Sequence, residues 1–338
     1  MIIITITFIG MMVFPLVGAY WFYRKVKGDV LYINQDKTRD PRYFATSFTQ
    51  MIDSQWENFQ NVGTICLSRE EDVLLADEVS SYPKSCELVV IAEKIDFKSP
   101  ILMEFHKEIY AMQNAELHGP LKARAIACKK DLIIKRNVNI IRWADAEGVL
   151  KVENNCDLGV SATSKKEIII GNNCEFRRLY APKIFLGQHK KVVLDLKDRV
   201  QKLNDFKLLN KIKYNMKYVD NAMSNEQGII DFSLVSKHDL VVLDDLIING
   251  NLRSSKRLRI CDNVIISGNV FADDDVLIGR NVVIYGNVFS QGNIKIEQGT
   301  VIGKENNISS VIARGSITFE KNCVVYGYIS NEQGGMIY

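Results

Sequence analysis

Hydrophobic and polar positions in the C-terminal part of the chain follow a short repeat. Three segments carry one phrase: Ile247-Ile248-Asn249-Gly250-Asn251, Ile265-Ile266-Ser267-Gly268-Asn269 and Val283-Ile284-Tyr285-Gly286-Asn287. Their glycines stand at 250, 268 and 286, a period of 18. Inside it runs a period of six. One column reads Val242, Ile248, Ser254, Ile260, Ile266, Ala272, Ile278, Ile284, Ser290, Ile296, Ile302 and Ile308. A second, two residues earlier, runs from Leu240, Leu246 and Leu252 through Val264, Val270, Val276, Val282 and Val288 to Ile294. Each six-residue unit therefore has two inward apolar residues around one outward residue, which is strand alternation. Polar residues and glycine fill the remaining positions as corners. Recurring Gly-Asn corners and a predominance of β-branched residues exclude a helical reading.

Three such strands make an 18-residue coil, and coils stack at the strand spacing of about 4.8 Å. The predicted fold is all-β: a triangular parallel β-solenoid, a right-handed β-helix of 18-residue coils, the hand following the general preference for right-handed parallel crossovers. Ser254, Ala272 and Ser290 make one side narrower. The same register occurs earlier, in Leu132/Ile134, Leu150/Val152 and Ile168/Ile170, and in Val138/Ile140, Cys156/Leu158 and Cys174/Phe176. Asn137, Asn155 and Asn173 mark a corner. Upstream of about residue 120 the register blurs, and near Ser309 it slips by one residue.

The N-terminus has a different pattern. Met1 to Tyr23 carries no charged side chain, and Ile2 to Phe22 is long enough to cross a bilayer as a helix. Tyr20 to Tyr23 form an aromatic girdle, followed at once by Arg24, Lys25 and Lys27. That order fits an interface facing the cytoplasm, so Trp21, Arg24, Lys25 and Lys27 are the candidate membrane-interface residues. Positive charge after the apolar core, with none before it, argues against a cleaved signal peptide. Asp40 and Pro41 then open a helix whose stripe is Phe44, Phe48, Met51, Ile52 and Phe59. The stripe packs on the next domain or lies on the membrane surface.

The expected organisation is a transmembrane anchor (1–23), a juxtamembrane linker with the amphipathic helix (24–85), a first solenoid block (86–187), a basic insertion (188–233), a second block (234–330) and a tail (331–338). The insertion has nine Lys and Arg between 190 and 217, a solvated surface or one resting on anionic lipid.

Composition changes this picture little. The 338 residues carry 43 Lys+Arg against 40 Asp+Glu, a net charge of +3 that makes no case for nucleic acid as a partner. Seven cysteines, at 66, 86, 128, 156, 174, 261 and 323, form no C-x-x-C pair. They read as free thiols packed as small hydrophobes, not as a zinc or redox site.

Two families have coils of this kind. Ile278-Gly279 and Ile302-Gly303 locally resemble the left-handed hexapeptide acyltransferases, which use a His as general base. Here the small position of that repeat is filled by Val264, Val270, Val282 and Val288. The four histidines, His106, His118, His189 and His238, precede the coils from residue 239. Acyl transfer needs a base within hydrogen-bond reach of the attacking group. Residues 237–330, with their Ile-Ile-x-Gly-Asn phrases and polar corners, resemble the bactofilins, polymer-forming cytoskeletal proteins. That resemblance implies a right-handed solenoid that polymerises end to end without nucleotide, cofactor or enzymatic activity. It implies a place at the cytoplasmic side of the cell membrane and partners in the cell-wall or cell-shape machinery.

A bare solenoid end exposes strand edges and a slice of core, so it must be capped or stack on another molecule. The C-terminal coil makes Val325, Tyr326, Tyr328 and Ile329 the candidate self-association face. Asp244-Asp245 and Asp273-Asp274-Asp275 raise a metal-dependent lyase, but their first members are 29 residues apart and do not share a column of period 18. They read as turn residues. No P-loop, Rossmann, H-E-x-x-H or G-x-S-x-G motif occurs.

Overall fold

The computed structural model describes Phe14, Tyr20 and residues 40–62, 64–66, 70–79, 84–98, 100–187 and 229–338. Alternation along the second block yields three-residue strands buried, outward and buried in turn, such as Leu258–Ile260, Val276–Ile278 and Ile294–Ile296. Each pairs in parallel with the strand one coil on: Leu258 opposite Val276, Val276 opposite Ile294. Parallel ladders of this kind run through about 12 turns of β-solenoid. The two columns read from the sequence are the interior. From Leu240 to Ile302 their members are at most 7% exposed.

Ile308 departs from its column and is 60% exposed. Residues 303–308 form a loop, with Gly303 and Asn306 at φ of 85° and 62°. It lengthens one coil, so Val288 pairs with Val311 and Ile294 with Ile317, a step of 23 in place of 18. That is the slip visible in the sequence. The first block blurs for a related reason. Its early steps vary: Val90 pairs with Ile109, Ile95 with Ala115 and Leu121 with Val138. From Leu132 two successive steps are 18, and the closing coil is shorter, Ala162 pairing with Leu179 and Ile168 with Ile184. The block also begins before residue 86, because Val73 already pairs with Val89.

The helix after Asp40 runs over Tyr43–Val62 and is termed α1. Asp40 caps it, accepting the Arg42 N–H at 2.9 Å. Phe48 and Ile52 are buried against Val89, Ile91, Tyr110 and Ala127, outward residues on one side of the first block. The Tyr110 hydroxyl donates to Asp53 at 2.9 Å, and Lys129 reaches the same carboxylate at 2.7 Å. Phe44, first of the predicted stripe, is instead exposed.

Cys86, Cys128, Cys156, Cys174, Cys261 and Cys323 are free, and all but Cys261 are buried. The anchor (1–23), apart from Phe14 and Tyr20, and the insertion 188–228 lie outside the described residues. Among the described residues, no helix is long and apolar enough to cross a membrane. The second block opens at Ile229, and residues 331–337, expected as a tail, belong to its last strand, Cys323–Ile337.

Candidate functional site: the seam between the blocks

Among the described strands, every pairing is parallel except where the blocks meet and where Thr64–Cys66 lies beside Glu70–Val79. The first block closes on one long strand, Cys174–Leu186, and the second on another, Cys323–Ile337. These two pair antiparallel along their length: Cys174 with Ile337, Leu179 with Ile329, Tyr180 with Tyr328, Ile184 with Val325 and Leu186 with Cys323. Two register shifts, at Phe176/Arg178 and Ala181/Ile184, carry the paired strands around the coil. The second block therefore does not continue the first. Its last coil stacks on the last coil of the first block, and its first strand, Ile229–Ile230, lies at the far end of its ladder.

The seam is built as an interior. Leu179, Ala181, Ile184, Leu186, Cys323, Val325, Ile329 and Ile337 have no exposed surface, and one buried cluster runs across the junction. Phe176 faces Phe319 with ring centroids 6.3 Å apart, and Gly335 leaves room for the Phe176 ring. The Asn331 amide donates to the Arg177 carbonyl at 3.1 Å. Lys183 lies over the Phe185 and Tyr326 rings, at 4.9 and 5.5 Å from their centroids. Burial pushes the Cys323 thiol up to about 12, and it raises the Tyr326 hydroxyl.

These facts bear directly on the expected self-association face. Val325, Tyr328 and Ile329 are paired with Ile184, Tyr180 and Leu179 of the same chain, and Tyr326 packs beside Lys183. The end that was expected to be bare is occupied by the first block. Trp21, Arg24, Lys25 and Lys27 lie outside the described residues. The seam had one signal in the sequence. Residues 174–186 and 323–329 lack the Gly-Asn corner that punctuates neighbouring coils, and both run longer than a three-residue strand.

A second surface flanks the seam. Phe185, Val324, Val301, Val283 and Ile265 point outward from one side yet are buried, with Ile169, Ile247, Tyr285 and Tyr326 packed beside them. This stripe runs the length of the second block, between the two ends of the 188–228 connection.

The polar corners join coil to coil. Asn251 accepts the Asn269 N–H at 2.8 Å, Asn269 accepts that of Asn287 at 2.9 Å, and Asn287 that of Ser310 at 2.8 Å. Gly268 is required beside this ladder, because a Cβ there would stand 2.5 Å from the Gly250 carbonyl oxygen. Asn137, Asn155, Asn173, Asn263 and Asn281 all adopt positive φ at corners, a conformation Asn tolerates. The acidic runs act in the same way: Asp244 accepts the Asp262 N–H at 2.6 Å and Asp275 the Asn293 N–H at 2.7 Å. Among the described residues, no group of three or more His, Cys, Asp or Glu is placed to hold a metal ion. His238 lies at a corner of the first coil of the second block, in an open depression with Asp239, Lys256, Arg257 and Asp273 to Asp275.

No family model matches the chain, no curated protein matches it and no solved structure matches it.

Proposed function

We propose that this protein is a non-enzymatic structural scaffold of polymer-forming, bactofilin-like type, a right-handed triangular solenoid rod held at the cytoplasmic face of the cell membrane by residues 1–23. One observation carries the reading: a single buried core extends through both blocks and across the seam, with consecutive coils joined at their corners by hydrogen bonds. The polar residues most suggestive of chemistry, the Asp runs, are engaged in holding coil to coil. Such a body suits transmission of load and display of partners along its length. Its partners in this reading are membrane lipid, other copies of itself and proteins of the cell-wall or cell-shape machinery.

The acyltransferase alternative draws on His238, whose depression holds cationic and acidic side chains. Electron microscopy of the full chain, reconstituted in vesicles without nucleotide, separates the two. Filaments or ordered arrays on the vesicles support the scaffold. Discrete particles that transfer an acyl group from a donor to an acceptor, and lose that transfer on His238→Ala, support the enzyme. Removal of residues 1–23 releases the protein from vesicles if that segment is the anchor.

A further inference from the structure

We propose that the seam is exchangeable: the closing coil of the first block in one copy pairs with the closing coil of the second block in another. This deepens the scaffold reading and rests on it for its biological purpose, by naming the partner and the contact. Three observations lead to it. Among the described strands, the two blocks pair with each other at the seam, and the chain links them through residues 188–228. It is a strand-to-strand contact with a closed apolar interior, so it is complementary wherever the two ends meet. The connection is far longer than the intramolecular seam requires.

Length decides the third point. From Phe185 the ladder passes through Val324, Val301, Val283, Ile265 and Ile247 to Ile229, six steps of about 4.8 Å, or roughly 29 Å. The 41 residues 188–228 can span at most about 140 Å. The number of residues alone therefore permits the second block to meet the first block of its own chain or that of a neighbour. The seam within one chain competes with the exchanged one as an intramolecular event, so exchange is favoured where copies are crowded. The two ends differ in sequence, so the exchanged contact is head-to-tail in kind and yields open chains or closed rings. The residues expected to self-associate, Val325, Tyr328 and Ile329, then do so with Ile184, Tyr180 and Leu179 of the next copy.

Cross-linking of the full chain tests this. In a Cys66→Ser/Cys261→Ser background, one copy carries Tyr180→Cys and another Tyr328→Cys, a pair that faces across the seam. A short bismaleimide joins the two thiols. The double variant joins within one chain, which fixes the geometry. Mixed single variants, incubated at high concentration or crowded on vesicles, join into a covalent pair of chains, and dilution before mixing lowers that yield in proportion. Arg178→Cys with Ser330→Cys, the neighbouring facing pair, repeats the test should the tyrosine variants fold poorly. Tyr180→Cys mixed with Val241→Cys, which do not face each other, gives the background. Covalent pairs above that background without filaments support exchange and count against the polymer reading. Filaments without covalent pairs overturn exchange and leave the scaffold assembled through other contacts. Intramolecular joining alone at every concentration overturns exchange.

Discussion

The two blocks of the solenoid build the same kind of coil with different regularity. The second block repeats its coil with a step of 18 through four successive pairings and closes its corners with Asn and Asp side chains that bond to the next coil's backbone. The first block uses the same corner bonds, Asp131 accepting the Val149 N–H and Asn154 the Asn172 N–H at 2.8 Å each, but varies its step. Ion pairs lie on the outer side of both: Lys135 is 3.3 Å from Glu116 and 3.2 Å from Glu153 in the first block, and Lys295 is 3.7 Å from Glu297 in the second. One side of the first block is also covered by α1. Yet the closing coils of the two match well enough to pair antiparallel with a fully buried apolar interior. Coil outline and inward apolar columns therefore suffice to join solenoids, and the regularity of the step is free to differ.

Four changes break or sharpen this comparison. The largest effect is expected from Leu179→Asp or Ile329→Asp, which puts a charge into the fully buried seam. A loss of more than about 3 kcal/mol is expected, and hydrogen exchange should rise in the closing coils of both blocks. Exchange rising in only one block would mean that the seam does not couple them. Next, Ile266→Ala and Ile134→Ala each leave a cavity in one block's core, at a cost of about 2–4 kcal/mol. Because each coil contacts its neighbours, exchange should quicken mainly in the block that carries the change.

Alkaline pH comes third. Burial holds the Tyr110 hydroxyl and the Cys128 and Cys323 thiols up to about 12, above their ordinary values of 10.0 and 9.0. The unfolded chain releases these protons first, so the stabilisation is complete below about pH 9 and is lost as pH rises towards 12. The melting temperature should fall through that window, and Cys323→Ala should make the fall shallower. An unchanged slope in that variant would assign the loss elsewhere. The smallest pair of effects compares the outer polar bonds. Asn269→Ala removes a coil-to-coil acceptor at about 0.5–1.5 kcal/mol. Lys135→Met removes an exposed ion ladder worth about 1 kcal/mol or less, an effect that high salt erases. A salt-sensitive Asn269→Ala would contradict the distinction.

The coils of the second block were legible because each inward position repeats a side chain of one kind. Leu258, Val276 and Ile294 occupy one column, and the ladder obeys them. Asn137, Asn155 and Asn173 gave a corner of the first block, since a residue that tolerates positive φ recurs where the chain must turn. Direction was not legible. Nothing in alternation distinguishes a strand that pairs with the coil before it from one that pairs antiparallel with a coil more than 100 residues away. Tyr328 and Ile329 therefore read as a bare end, although Tyr180 and Leu179 are paired with them. The coil extended by residues 303–308 was visible only as a slip, because an added loop changes the register without changing the strand pattern on either side.

The seam and the reversed direction of the second block are tested most directly by distances along one side of the rod. Glu175, Met336, Thr318, Lys295, Leu277, Arg259 and Val241 follow one another on that side. Spin labels at positions 175 and 318 should lie two steps apart, about 10 Å, and labels at 175 and 241 six steps apart, about 29 Å. Pulsed dipolar measurements on the full chain that return this order establish that the two last coils meet. The opposite order, with 241 the nearer partner of 175, would mean that the blocks follow one another in a single direction and that the seam does not exist.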